Sequence, residues 1–159
     1  MSKSRNRVLK LIYQYDGTDN VLQSMPIAEF RQLKSIEQKA LLDECWSYLV
    51  KLRAGFRCEI SGAESGLNSH HIIGKDTLRI RWEIDNGIAI TSGIHSFDAH
   101  GTRVRQMRFE EKVKRLRGSD IYDRLFALRD GKVLNKVSMF LYFREKYKEL
   151  QEKLKAINK

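Results

Sequence analysis

Three of the four histidines in this 159-residue chain lie between Ser69 and His95, and the fourth, His100, follows five residues later. Imidazole both ligates divalent metals and moves protons near neutral pH, so the chain's capacity for that chemistry is packed into one segment. The segment begins Ser69-His70-His71-Ile72-Ile73-Gly74. Read as a strand, it sends adjacent side chains to opposite faces, so His70 and His71 cannot both hold one metal in regular geometry. One is left to act as a base while the other ligates. Gly87-Ile88-Ala89-Ile90-Thr91 follows Asn86 and is β-prone, and Ser92 is placed to cap a turn of helix carrying His95. Strand, loop, strand and short helix would return His95 to face His70.

These residues resemble the HNH (ββα-metal, His-Me finger) nucleases, in a phage-like form. The resemblance rests on His70-His71 followed by Ile72-Ile73, on Asn86 with Ile88 and Ile90, and on His95 nine residues after the asparagine. It covers roughly residues 55 to 101. In that family the first residue of the pair ligates a divalent metal and the second is the general base. The asparagine orients the loop carrying that base, and the last histidine is a second ligand. Carried over, the metal residues are His70 and His95, and the catalytic residues are His71 and Asn86. His100 is grouped with the metal residues but stays open between a ligand, a phosphate contact and a helix-end histidine.

Many members of the family flank this unit with two CxxC knuckles around a structural zinc. The matching positions here are Cys58 with Ser61, and Thr91 with Ile94. A structural zinc needs about four N or S ligands, so no structural zinc is expected and apolar packing must hold the fold in its place. The only other cysteine, Cys45, lies in a segment read as helix. Two cysteines make no disulfide framework, which agrees with a reducing compartment.

A formal charge of +10 suggests a polyanionic partner. Lys and Arg attract phosphate backbones by counterion release, whatever the base sequence. Residues 103 to 117 hold seven Lys or Arg, and Arg103, Arg105, Arg108 and Lys112 are read as a stripe along a nucleic-acid backbone. If Thr77 to Trp82 is extended, Arg79 and Arg81 share its polar face, either to meet phosphates or as a solvated edge.

Elsewhere the pattern is helical. The basic residues Lys3, Arg5, Arg7 and Lys10 suggest a mobile arm or an edge strand running into Val8 to Tyr15. Asp16-Gly17 marks a turn, and Pro26 suits a helix entry. Residues 27 to 54 read as helix with a break near Lys34-Ser35, Ser35 and Gln38 forming a capping box. Leu42, Cys45, Leu49 and Leu52 form its apolar stripe, and Gly55 ends it. Ser119 can cap a helix to Arg129. Asn135 can cap a long one with Val137, Phe140, Leu141, Tyr147, Leu150 and Leu154 as apolar positions.

The expected fold is α+β, a mainly helical single domain around a ββα-metal core. It divides into an arm and helical scaffold (1–54), the HNH-like core (55–101) and a basic helical extension (102–159). No run suits a membrane span or signal peptide, so no membrane partner is expected and the cytoplasm, the host's if phage-encoded, is the expected location. The expected activity is hydrolysis of phosphodiester bonds in double-stranded DNA. One divalent metal is expected as cofactor, Mg²⁺ or Mn²⁺, with Zn²⁺ or Ni²⁺ able to replace it in a crystal. The other reading is a DNA-binding module that does not cut. Either could pair with a second copy or dock on a phage recombination or packaging complex.

Overall fold

The structure, a computed structural model, describes residues 1–75 and 78–159, and for Leu78 the backbone only. In chain order its elements are α1 (Lys3–Gln14), α2 (Thr18–Ser24), α3 (Ile27–Gln32), α4 (Ser35–Arg53), β1 (Leu67–His71), α5 (Leu78–Arg81), β2 (Gly87–Thr91), α6 (Ser92–Ile94), α7 (Arg103–Arg117), α8 (Ile121–Leu128) and α9 (Lys136–Ile157). A 3₁₀ turn, Ile84–Asn86, leads into β2, and a π-helical turn, His95–Ala99, continues α6. The molecule is therefore α+β and mainly helical, with one two-stranded antiparallel sheet among the described residues. Among the described residues, no helix is long and apolar enough to cross a membrane.

Two compact units emerge, one of Met1–Leu49 with Leu134–Lys159 and one of Val50–Val133. The expected segments do not map onto them one to one. Residues 102–133 pack with the strands, whereas 134–159 belong with the N-terminal helices.

The first unit is helical throughout. Its opening residues are neither an arm nor an edge strand. Ser2 caps α1 by accepting the Arg5 N–H at 3.2 Å, Val8 is buried, and Arg5 and Arg7 each meet a carboxylate of α4, Glu44 and Glu37, at 3.1 Å. The basic run is thus the outer face of an amphipathic helix, with Arg5 and Arg7 paired. The break before α4 falls where expected, but Ser35 and Gln38 do not form the capping box. Glu37 accepts the Lys34 N–H at 3.0 Å, and Gln38 reaches back to the Phe30 carbonyl.

Asn135 caps α9 through the Ser138 N–H at 2.8 Å. The buried positions of α9 are Met139, Phe140, Phe143 and Tyr147, while Leu141 is exposed, because it sits about 100° round the helix from Phe140. Phe140 stacks on Phe30 with ring centroids 4.5 Å apart, in a core with Leu22, Met25, Leu41 and Leu42.

The second unit is organised by the sheet. β1 pairs with β2 in a register that sets His70 opposite Ile88 and His71 opposite Gly87. Residues 78–81, expected as part of an extended piece, form a helical turn, closed by the Glu83 N–H on the Ile80 carbonyl and by the Arg79–Glu83 pair at 3.4 Å. Thr77, the first residue of that piece, lies outside the described residues. Ser119 does not cap α8, whose N-cap position is Asp120.

Cys58, Ile88, Ile90, Phe109, Val113, Ile121 and Leu125 form one buried cluster, with Ile60, Ile73 and Ile94 packed against it. Cys58 and Ile94, two of the knuckle positions, are therefore part of an apolar core. Chelation by EDTA is accordingly expected to leave the far-UV CD melt largely unchanged, whereas Ile90→Ala should destabilise by about 2–5 kcal/mol. A melt that collapses on chelation contradicts this account.

Candidate metal centre

β1 splits the histidine pair as its alternation requires. On one face, His70 lies with ring centroids 5.2 Å from His95, 5.0 Å from His100 and 5.4 Å from Phe109. In the other direction, His71 Nε2 is 2.9 Å from the Arg81 carbonyl oxygen. A carbonyl only accepts, so Nε2 carries the proton of the neutral ring and Nδ1 is its basic nitrogen.

The chain beyond the second strand supplies the other two imidazoles, His95 at the start of the π turn and His100 at its end. Thr91, rather than Ser92, caps α6, its hydroxyl accepting the Ile94 N–H. Ser92 instead bonds to Asn68 and to the Gly66 carbonyl. His100 donates its N–H to the His95 carbonyl at 3.1 Å, a bond five residues long. In an α-helix a residue five positions on lies about 140° round the axis, which would separate the two rings. The wider π turn brings His100 back over His95, with centroids 4.6 Å apart.

One nitrogen from each of His70, His95 and His100 falls in a group whose members all lie within 4.8 Å of one another. Burial, reinforced by His95 and His100, pushes the His70 pKa down to about 3, and burial with His100 lowers that of His95. Both rings are therefore neutral at pH 7, the form that ligates metals. His100 is exposed and keeps one side of the group open. Three imidazoles with an open side fit a divalent ion.

Asn86 is fully buried. Its amide donates to the carbonyls of Ile73 at 2.9 Å and Ile80 at 3.1 Å, and its oxygen accepts the Ile73 N–H at 2.8 Å. Its backbone carbonyl also accepts from Ile72 at 2.8 Å. The chain leaving His71 is thereby tied to the entry of β2.

The arginines divide into two groups. Arg79 pairs with Glu83, Arg81 reaches the Lys75 carbonyl, and Arg103 pairs with Glu110 at 3.6 Å. Arg105, Arg108 and Lys112 recur on one face of α7 at helical spacing. Together with Asp98 and Phe109 they line a cavity of about 300 Å³. Among the described residues, none of these three cations is in an ion pair. Phe109 is the wall shared with His70.

Phe109 was legible as core from its spacing to Val113. Asp98 carried no sequence signal, because it enters the site only through the π turn.

At the knuckle positions, Cys58 Sγ accepts the Ser61 N–H at 3.3 Å, and Thr91 Oγ1 accepts the Ile94 N–H at 3.4 Å. Both turns keep a side chain of the first residue bonded to the N–H three residues on. No protein-family model, no curated protein and no solved structure matches the chain.

Both depressed histidine pKa values lie below the ordinary 6.5 of an unfolded chain. Below that pH, protons bind the unfolded chain more readily than the folded one, so stability falls from about pH 6.5 toward pH 3 and is fully present above it. The metal-free protein should therefore lose thermal midpoint on going from pH 7 to pH 4.5, and His70→Gln should lose less. Parallel pH profiles for the two proteins would refute the assignment.

Proposed function

We propose that the protein is a metal-dependent endonuclease of the HNH (ββα-metal) type, hydrolysing phosphodiester bonds in double-stranded DNA. The observation that carries this reading is the division of labour across β1. His70 joins a three-imidazole cluster, while its neighbour His71 is held by the Arg81 carbonyl with Nδ1 as the basic atom. A purely structural metal site would have no use for the second histidine in that tautomer.

His70, His95 and His100 would hold the ion, which when bound supplies charge to stabilise the leaving oxygen. Imidazole donors suit Zn²⁺ or Ni²⁺, whereas a site that must also take water and phosphate oxygen suits Mn²⁺, so Mn²⁺ is the first metal to supply. His71 Nδ1 takes the proton from the attacking water as the new P–O bond forms and the bond to the 3′ oxygen breaks. The 3′ oxygen leaves as an oxyanion and takes a proton from solvent water, and His71 returns its own proton to solvent, so the ends are a 5′-phosphate and a 3′-hydroxyl. Asn86 holds the loop that follows the base. The unpaired face of Arg105, Arg108 and Lys112 meets phosphates beside the cut.

Nicking of supercoiled plasmid in Mn²⁺ tests the reading directly. Tight binding with no cutting would leave a DNA-binding module instead. His71→Ala should keep metal affinity and DNA binding yet lower the single-turnover rate by roughly 10²-fold to 10⁴-fold. His70→Ala and His95→Ala should weaken the ion itself, so that added Mn²⁺ partly restores cutting. Calorimetry in which His71→Ala loses Mn²⁺ while His70→Ala keeps it would reverse the assignment.

The basic face makes a separate prediction. Alanine at Arg105, Arg108 or Lys112 should reduce the slope of log K against log salt by about 0.9 each, and alanine at Arg103, already paired to Glu110, should reduce it less. A slope unchanged in the triple variant would mean that this face is only solvated.

A further inference from the structure

The outer edge of β2, turned away from β1, is covered by three charged side chains that none of the preceding roles uses. Glu59 treats Ala89 as a strand would: its N–H donates to the Ala89 carbonyl at 2.9 Å and its carboxylate accepts the Ala89 N–H at 2.8 Å. Arg53 spreads its guanidinium over two carbonyls, Ile84 at 2.8 Å through Nη1 and Gly87 at 2.6 Å through Nη2. Arg117 donates to the Gly87 carbonyl at 3.2 Å and to Glu59, whose other oxygen is 3.8 Å from Arg53. These side chains are only 19%, 15% and 17% exposed for Arg53, Arg117 and Glu59.

Burying two cations and one anion is expensive, and apolar replacements of such groups are often neutral or stabilising. An apolar residue at Arg53, however, would take a side-chain donor from both carbonyls, leaving Ile84 with only the Gly87 N–H and Gly87 with only Arg117. The decisive point is which carbonyls are held. Ile84 and Gly87 flank Asp85-Asn86, so one planar fork grips the turn on both sides of the asparagine. A lysine, with a single compact ammonium, cannot span both.

We propose that Arg53 and Arg117, with Glu59 between them, are positioning residues: they lock the turn that carries Asn86, and through Asn86 the loop that follows His71. The link to cleavage rests on the nuclease reading above, but the link to Asn86 does not.

Arg53→Lys tests both. The Asn86 side-chain amide protons, followed by NMR hydrogen exchange, should exchange markedly faster than in the wild type. Single-turnover cleavage in Mn²⁺ should fall by about 10-fold to 100-fold, the usual effect of losing an outer-shell partner, with Mn²⁺ affinity and DNA Kd within about twofold of wild type. Val113→Ala, a truncation in the apolar core of the same unit, should lower the melting temperature without singling out the Asn86 amide. If Arg53→Lys does not fold, Arg117→Lys keeps the fork and should show the same pattern more mildly. Unchanged Asn86 exchange in a folded Arg53→Lys protein would overturn the proposal. A wild type that does not cut would sink the nuclease reading while the exchange measurement still decided this one.

Discussion

The second unit depends on one buried amide. Asn86 joins three pieces of chain, of which only the first and last also share the strand ladder: the exit of β1 at Ile73, the helical turn at Ile80, and its own entry to β2. The site asks for two donors and one acceptor, and only a carboxamide offers that set in so short a side chain. Aspartate would aim a second acceptor at two carbonyls, and leucine would leave the Ile73 N–H and carbonyl unmet and the Ile80 carbonyl with only the Glu83 N–H. Each unmet group costs about 1–3 kcal/mol when buried. The position therefore admits little besides asparagine, and whatever fixes its backbone fixes the loop behind His71.

One irregularity of the backbone does the rest. Strand parity alone puts His70 and His71 on opposite faces, but it supplies only one imidazole to the cluster. The π turn adds the third ring of the group by converting a five-residue spacing into a shared face. Such turns interrupt the α-helical ladder and are found mostly at functional positions. Here the interruption falls between His95 and His100.

Much of this site was readable because its signals are local. The adjacent histidines, the β-prone run after Asn86 and the small residue before the helical turn each constrain their neighbours directly. The structure brings His70 and His95 together as that spacing implied, and places His100 with them, a choice the sequence left open because nothing in the residues announces a π turn. The unreadable parts are those made at a distance or masked by charge. Lys3, Arg5, Arg7 and Lys10 hid an amphipathic helix, since the carboxylates that neutralise Arg5 and Arg7 are Glu44 and Glu37, more than twenty-five positions later. Alternation in residues 78–82 imitated a strand where an i,i+4 ion pair and Ile80 burial favour a helical turn. Arg53, Glu59 and Arg117 span more than half of the unit, and no spacing rule connects them.

The knuckle positions show what replaces a cross-link. A zinc would concentrate its stabilisation in four ligands, each indispensable. Cys58 is still bonded to the Ser61 N–H; although burial pushes its thiol pKa up, that bond and the Ile60 and Thr91 N–H groups hold it below the usual range. Yet the partners it would need are a serine, a threonine and an isoleucine, and Ile94 packs on the apolar cluster instead. Holding these turns falls to dispersed packing from Ile88, Ile90, Phe109 and Val113 and to the charged clasp on β2. Dispersed packing has a different failure mode from a metal. Single truncations cost a few kcal/mol out of the roughly 5–15 that a domain has, so the unit weakens by degrees. That apolar cluster includes none of the three clustered histidines, so the unit packs without the side chains that could hold an ion.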